Sequence, residues 1–82
     1  MKVTGLKCTC WPCPSQWEAR TEDGRFVYIR YRWGELHVGS GSTLEGAVED
    51  AAQSPAVYES ENVWDGDMGT EEMLERTGFR EG

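Results

Sequence analysis

The chain has 82 residues and a net charge of −7, enough for one domain, residues 1–82, with a modest core, because chains of this size bury a smaller share of their surface than larger ones. Little chain is left to build the second wall of a deep catalytic cleft, so an enzyme is not expected. No stretch approaches the ~18 apolar residues of a membrane span, and the first residues lack the charged region and apolar run of a signal peptide, so a soluble protein of the cytoplasm is expected.

Met1 to Thr9 alternates loosely through Val3, Leu6 and Cys8 and predicts a short edge strand or an irregular lead-in. Two prolines in Trp11-Pro-Cys-Pro14 make the next stretch a turn or linker, since proline cannot donate to a ladder. Ser15 to Thr21 predicts a strand with Trp17, Ala19 and Thr21 on its inner side. Glu22-Asp-Gly24 is a turn, because Asp and Gly tolerate the left-handed backbone that hairpins need. A three-residue loop with Gly24 left-handed pairs Ala19 with Val27 and Trp17 with Ile29, uniting the apolar sets; a slip of one residue would turn every side chain to the other face.

Phe26 to Arg32 and Glu35 to Val38 then form a second hairpin around Trp33-Gly34, pairing Tyr31 with Leu36, Ile29 with Val38 and Arg30 with His37. Alternation gives a core face of Val27, Ile29, Tyr31, Leu36 and Val38. The opposite face carries Phe26, Tyr28, Arg30, Arg32, Glu35 and His37. Ser42-Thr-Leu-Glu45 reads as a capping box starting a helix over Thr43 to Gln53, with an apolar stripe of Leu44, Ala47, Val48 and Ala51. Pro55 stops it. Pro55 to Gly69 is loop-like but rich in large side chains, and loops of that length are often functional; a short strand near Val57 fits. Thr70 is expected to cap a second helix, with Glu71 and Glu72 favouring the dipole. Gly78 should stop it in a left-handed conformation and fold Phe79 back on Leu74. The expected fold is α+β: a three- or four-stranded antiparallel meander, the first helix packed on the Trp17/Ile29/Tyr31/Val38 face, and a short C-terminal helix.

Three groups of residues carry candidate chemistry. Cys8, Cys10 and Cys13, with His37, could complete a zinc site, but the second pair of ligands that structural zinc normally uses is missing. No cofactor is therefore expected, and a small zinc-stabilised module is kept as an alternative. In a reducing compartment three such thiols are more often unbridged, or joined in a labile Cys8–Cys13 or Cys10–Cys13 disulfide. The Cys10-Trp-Pro-Cys13 string lacks the βαβ setting of a redox motif.

The face with Phe26, Tyr28, Arg30, Arg32 and His37 combines rings with cations, as single-strand platforms do. The total charge opposes general nucleic-acid binding, which rests on phosphate neutralisation, so a compact nucleotide-like ligand is the alternative use. Charge is also uneven: residues 1–41 hold six Lys and Arg against four acids, and residues 42–82 hold two against eleven. The acids Glu45, Glu49, Asp50, Glu59, Glu61, Asp65, Asp67, Glu71, Glu72 and Glu75 form either a solvated surface or a mimic of nucleic-acid phosphate. With Tyr58 and Trp64, the acids Glu59, Glu61, Asp65 and Asp67 are the candidate partner-binding set.

Cys13-Pro-Ser-Gln-Trp-Glu18, Asp23-Gly24, Phe26-Val-Tyr-Ile-Arg-Tyr-Arg-Trp-Gly-Glu-Leu-His-Val38 and Gly69-Thr-Glu-Glu-Met-Leu-Glu-Arg-Thr-Gly-Phe79 together resemble a group of small bacteriophage accessory proteins. The resemblance covers roughly half the chain, contains no catalytic motif and transfers no site residue. It implies a viral protein acting in the host cytoplasm by binding and inhibiting or modulating a host or defence protein, as anti-CRISPR proteins and DNA mimics do, by analogy alone. The partners so implied are a host or defence protein and no membrane; self-association stays open.

Overall fold

The computed structural model describes residues 2–10, 15–62 and 68–81. Six strands and two helices follow in the order β1 (Lys2–Cys10), β2 (Ser15–Thr21), β3 (Phe26–Arg32), β4 (Glu35–Gly41), α1 (Leu44–Gln53), β5 (Tyr58–Glu59), α2 (Thr70–Thr77) and β6 (Arg80–Glu81). One sheet contains all six strands in the order β5-β4-β3-β2-β1-β6. The pairs are antiparallel except β1 with β6. The fold is α+β as expected, with more strands than the expected three or four. The two additional strands are two residues each: β5 is the short strand expected near Val57, and β6 is too short to show any periodicity in the sequence.

Both hairpins take the expected register. Ala19 faces Val27 and Trp17 faces Ile29, around a three-residue loop in which Gly24 has φ 87°. Thr21 N–H donates to the Arg25 carbonyl at 2.9 Å. The Thr21 hydroxyl donates to the Asp23 carboxylate, which holds that carboxyl below the usual carboxylate range. Tyr31 faces Leu36, Arg30 faces His37 and Arg32 faces Glu35, leaving Trp33-Gly34 as a two-residue loop. Both residues have positive φ, 57° and 73°, the backbone of a type I′ turn, whose twist suits a hairpin. For Trp33 that backbone costs about 1 kcal/mol or more, because Cβ crowds the carbonyl there. In β1, Gly5 has φ 63° and the pairing with β2 shifts between Thr4 and Lys7 and again between Cys8 and Cys10, so the predicted strand exists but is bulged, and β6 rather than β1 stands at the sheet edge.

The principal core lies on the expected face. Val3, Trp17, Ala19, Val27, Ile29, Tyr31 and Leu36 are buried there with Met68 and Met73, and full burial of a side chain such as Ile29 or Leu36 contributes about 2 kcal/mol. The helix that covers this face is α2, not α1. The Trp17 indole N–H donates to the Thr70 hydroxyl at 2.9 Å, and Met68 N–H donates to the buried Ser15 hydroxyl at 3.0 Å. Thr70 therefore serves Trp17 rather than capping; the N-cap is Gly69, and the helix ends at the left-handed Gly78, as predicted. Leu74 and Phe79 both pack against this core.

Helix α1 lies on the opposite face, correcting the expected packing. Ala47 and Ala51 are buried with Tyr28, and Phe26 packs against them. The reason is backbone space. A Cβ on Gly39 would stand 2.2 Å from the Ala47 carbonyl oxygen and 2.2 Å from the Ala51 nitrogen, and one on Gly41 would stand 3.0 Å from the Ala47 nitrogen. Both glycines share the strand face of Glu35 and His37, so the helix backbone seats on that face, where β4 carries no side chain. That seat also sets the helix start: Thr43, not Ser42, is the N-cap, its hydroxyl accepting from Gly46 N–H at 3.0 Å, so the predicted reciprocal bond from Glu45 is not made. Gly39→Ala is expected to destabilise the protein by about 3 kcal/mol, since backbone atoms rather than a flexible side chain must move. Gly46→Ala, where only the Thr43 hydroxyl at 3.2 Å must give, should change stability by less than about 1 kcal/mol; thermal denaturation of the two variants compares them.

Candidate functional site

Helix α1 covers only part of its sheet face. Across that face the registers align Gln16, Arg30 and His37 in one row and Arg32, Glu35 and Glu59 in the next. These rows lie on the Trp33 side of the helix. Together they leave a pocket of about 340 Å³ lined by Tyr28, Arg30, Arg32, Trp33, Glu35, His37, Val48, Ala51 and Ala52, at the small end of the ~300–1,000 Å³ typical of small-molecule sites. Of the predicted ligand face, Tyr28, Arg30, Arg32 and His37 are brought together here. Phe26 is not: it packs against the α1 cluster, and the Arg20 guanidinium lies 4.0 Å from its ring centroid.

The charged groups of the pocket are unequally committed. His37 Nδ1 is 3.0 Å from the Ser54 carbonyl oxygen, and because a carbonyl only accepts, this nitrogen donates. His37 thereby satisfies one of the carbonyls left over at the end of α1. Its Nε2 is 3.0 Å from Glu35 Oε1. The two arginines differ. Arg30 Nε is buried with no hydrogen-bond acceptor among the described residues, an uncommon condition for a buried donor. Arg32 stands 5.1 Å from the Trp33 ring centroid. Among the described residues neither arginine forms an ion pair, although the chain holds 15 acids.

Sequence reasoning missed Trp33, Val48, Ala51 and Ala52 as pocket walls. Trp33 carries a signal, a large aromatic at a turn position that Asn or Asp normally fills. The three α1 residues carry none, since the stripe that holds Val48 and Ala51 shows only that the helix has an apolar side, and Ala52 lies outside it.

Of the candidate partner-binding set, Tyr58, Glu59 and Glu61 lie among the described residues. Tyr58 is committed to the principal core, with Tyr31 at 6.4 Å between ring centroids and the Arg76 guanidinium 4.3 Å from its own. Glu59 faces Glu35 on the pocket side, and Glu61 is exposed. Trp64, Asp65 and Asp67 lie outside the described residues. For the candidate metal ligands, Cys8 is exposed on β1 and His37 is on β4, three strand positions away, or roughly 14 Å at the usual strand spacing; the structure does not bring them together. The Cys10 side chain and Cys13 lie outside the described residues, among which no group of three His, Cys, Asp or Glu could hold a metal ion. No helix among them is long and apolar enough to cross a membrane.

If His37 serves α1 and Arg32 does not serve the fold, their loss should differ. His37→Leu is expected to lower stability by about 1 kcal/mol, the value of the lost hydrogen bond, or roughly 4–8 °C in Tm, while Arg32→Gln should stay within about 0.5 kcal/mol of the parent in the same melting experiment. Comparison with protein-family models, curated proteins and solved structures gives no match to this chain.

Proposed function

We propose that the protein is a non-enzymatic binding or sequestering module that takes a small anionic, nucleotide-like ligand in the pocket between α1 and the β3–β4 hairpin. The observation that carries this reading is the pair of arginines on the pocket wall without an ion-pair partner among the described residues, one of them with an orphaned buried Nε. A guanidinium meets a phosphate through two parallel N–H donors, and the two terminal nitrogens of an arginine form one such fork. Tyr28, Trp33, Val48, Ala51 and Ala52 supply the apolar walls usual in a ligand site. The net charge of −7 disfavours a long polyanion and favours a compact one.

The second reading, an acidic phage accessory protein that inhibits or modulates a host or defence protein, draws its support from sequence resemblance and the acidic half. It has less support in three dimensions. The exposed Glu45 and Glu49 on α1 and Glu71, Glu72 and Glu75 on α2 sit on helices that cover opposite faces of the sheet, so they do not build one phosphate-like stripe. Asp50 is partly committed, accepting from Ser40 N–H at 2.9 Å.

A thermal-shift series with nucleoside mono-, di- and triphosphates tests the pocket. A ligand at 100 times its Kd should stabilise by about 2.7 kcal/mol, a rise on the order of 10 °C in a domain this small. Arg30→Gln should weaken binding by about 10- to 100-fold, the loss of a hydrogen bond to a charged group, without lowering Tm in the absence of ligand. A flat response to every phosphate-bearing compound would overturn the reading.

A further inference from the structure

Trp33 is costly where it stands. The type I′ turn that joins β3 to β4 is satisfied by Asn-Gly without strain, yet this chain places an indole there with φ 57°. Unlike Trp17, which is fully buried in the core, Trp33 is 53% exposed, so its ring is not held in that position by burial. Left-handed backbone in a bulky residue is a pointer to function when the fold does not require it. Val48, which lines the same pocket from α1, is 40% exposed. The described residues hold three exposed large hydrophobics, Trp33, Val48 and Val57, and two of them line this one pocket, one on the turn and one on the helix. Apolar groups contributed by a turn and a helix to one pocket suit a flat ring, and Arg30 and Arg32 line the same pocket from β3.

We infer that Trp33 is a stacking platform for a nucleobase, so that the ligand is a single nucleoside phosphate whose base lies between Trp33 and the Val48 side of α1 and whose phosphates reach Arg30 and Arg32. This rests on the anion-pocket reading and deepens it by naming the ligand class. Stacking of a base on an aromatic side chain is tolerant of sequence and contributes a substantial share of binding, whereas an anion site alone would be indifferent to the base. Glu35, which lines the pocket, and Glu59, its register partner on β5, together with the net charge of −7, oppose the further phosphates of a strand and favour one nucleotide.

Calorimetric titration of the protein with ADP, GDP, inorganic pyrophosphate and a ten-nucleotide single strand, repeated on Trp33→Asn and Arg30→Gln, tests the inference. ADP or GDP should bind at least about tenfold more tightly than pyrophosphate, the share a stacked base contributes. Trp33→Asn should lose that advantage while binding pyrophosphate as the parent does. Without ligand it should melt about 4 °C or more above the parent, because Asn accepts the left-handed turn; this higher Tm rules out unfolding as the cause of lost affinity. Equal affinity for ADP, GDP and pyrophosphate, or unchanged diphosphate binding by Trp33→Asn, would overturn the stacking role, and pyrophosphate binding that still depends on Arg30 would then leave the anion pocket standing. Tighter binding of the single strand than of either diphosphate would overturn the single-nucleotide assignment. Failure of pyrophosphate and both diphosphates to bind would remove the pocket reading and the inference together.

Discussion

The close approach of the α1 backbone to Gly39 governs the layout of the molecule. An ideal Cβ at that position would overlap both the Ala47 carbonyl and the Ala51 amide, so helix and strand meet main chain to main chain, with Ala47 and Ala51 buried beside the contact. Contact at that distance requires glycine below and small residues above. It draws α1 toward the end of β4 where Gly39 and Gly41 lie, and away from the end where Arg32, Trp33 and Glu35 lie. The pocket is the part of the face that this seating leaves uncovered.

The other face depends on a different kind of closure. Helix α2 has eight residues, too few to be stable by itself in water, and its place is held by tertiary contacts. Met73 enters the core fully, the Trp17 indole reaches Thr70, and the Ser15 hydroxyl satisfies the Met68 amide. The two polar contacts answer the requirement that buried donors and acceptors be paired, and they connect residues 53 positions apart in the chain. The sheet is thus covered by α2 on one face and by α1 on part of the other, each helix of this 82-residue chain doing part of the work.

Local features were legible where one residue type has one conformational solution. Gly24 left-handed with Asp23 before it defined the first loop, and period-two alternation defined what faced what across both hairpins. Pro55 and Gly78 marked helix ends. Caps were less legible, because a hydroxyl can serve more than one donor: Thr70 was drawn to Trp17, and Thr43 took the place read for Ser42 once α1 was phased by its seat. Arg30, Arg32 and His37 were readable as neighbours from register alone. Their unequal roles were not, since the Ser54 carbonyl that occupies His37 comes from the end of α1, and no pattern on β4 announces it.

The amino-acid sequence by itself determined the strand pairing of β2, β3 and β4, the composition of the two sheet faces, and the existence and extent of both helices. These follow from steric limits on φ and ψ and from side-chain periodicity, which act over a few residues. Only the tertiary structure decided which helix covers which face, and with that which half of the arginine-bearing face stays open. An apolar stripe shows that a helix has an inner side but not which of two apolar surfaces it will meet. That choice was made by excluded volume, where β4 carries no side chains and the helix backbone can rest on it.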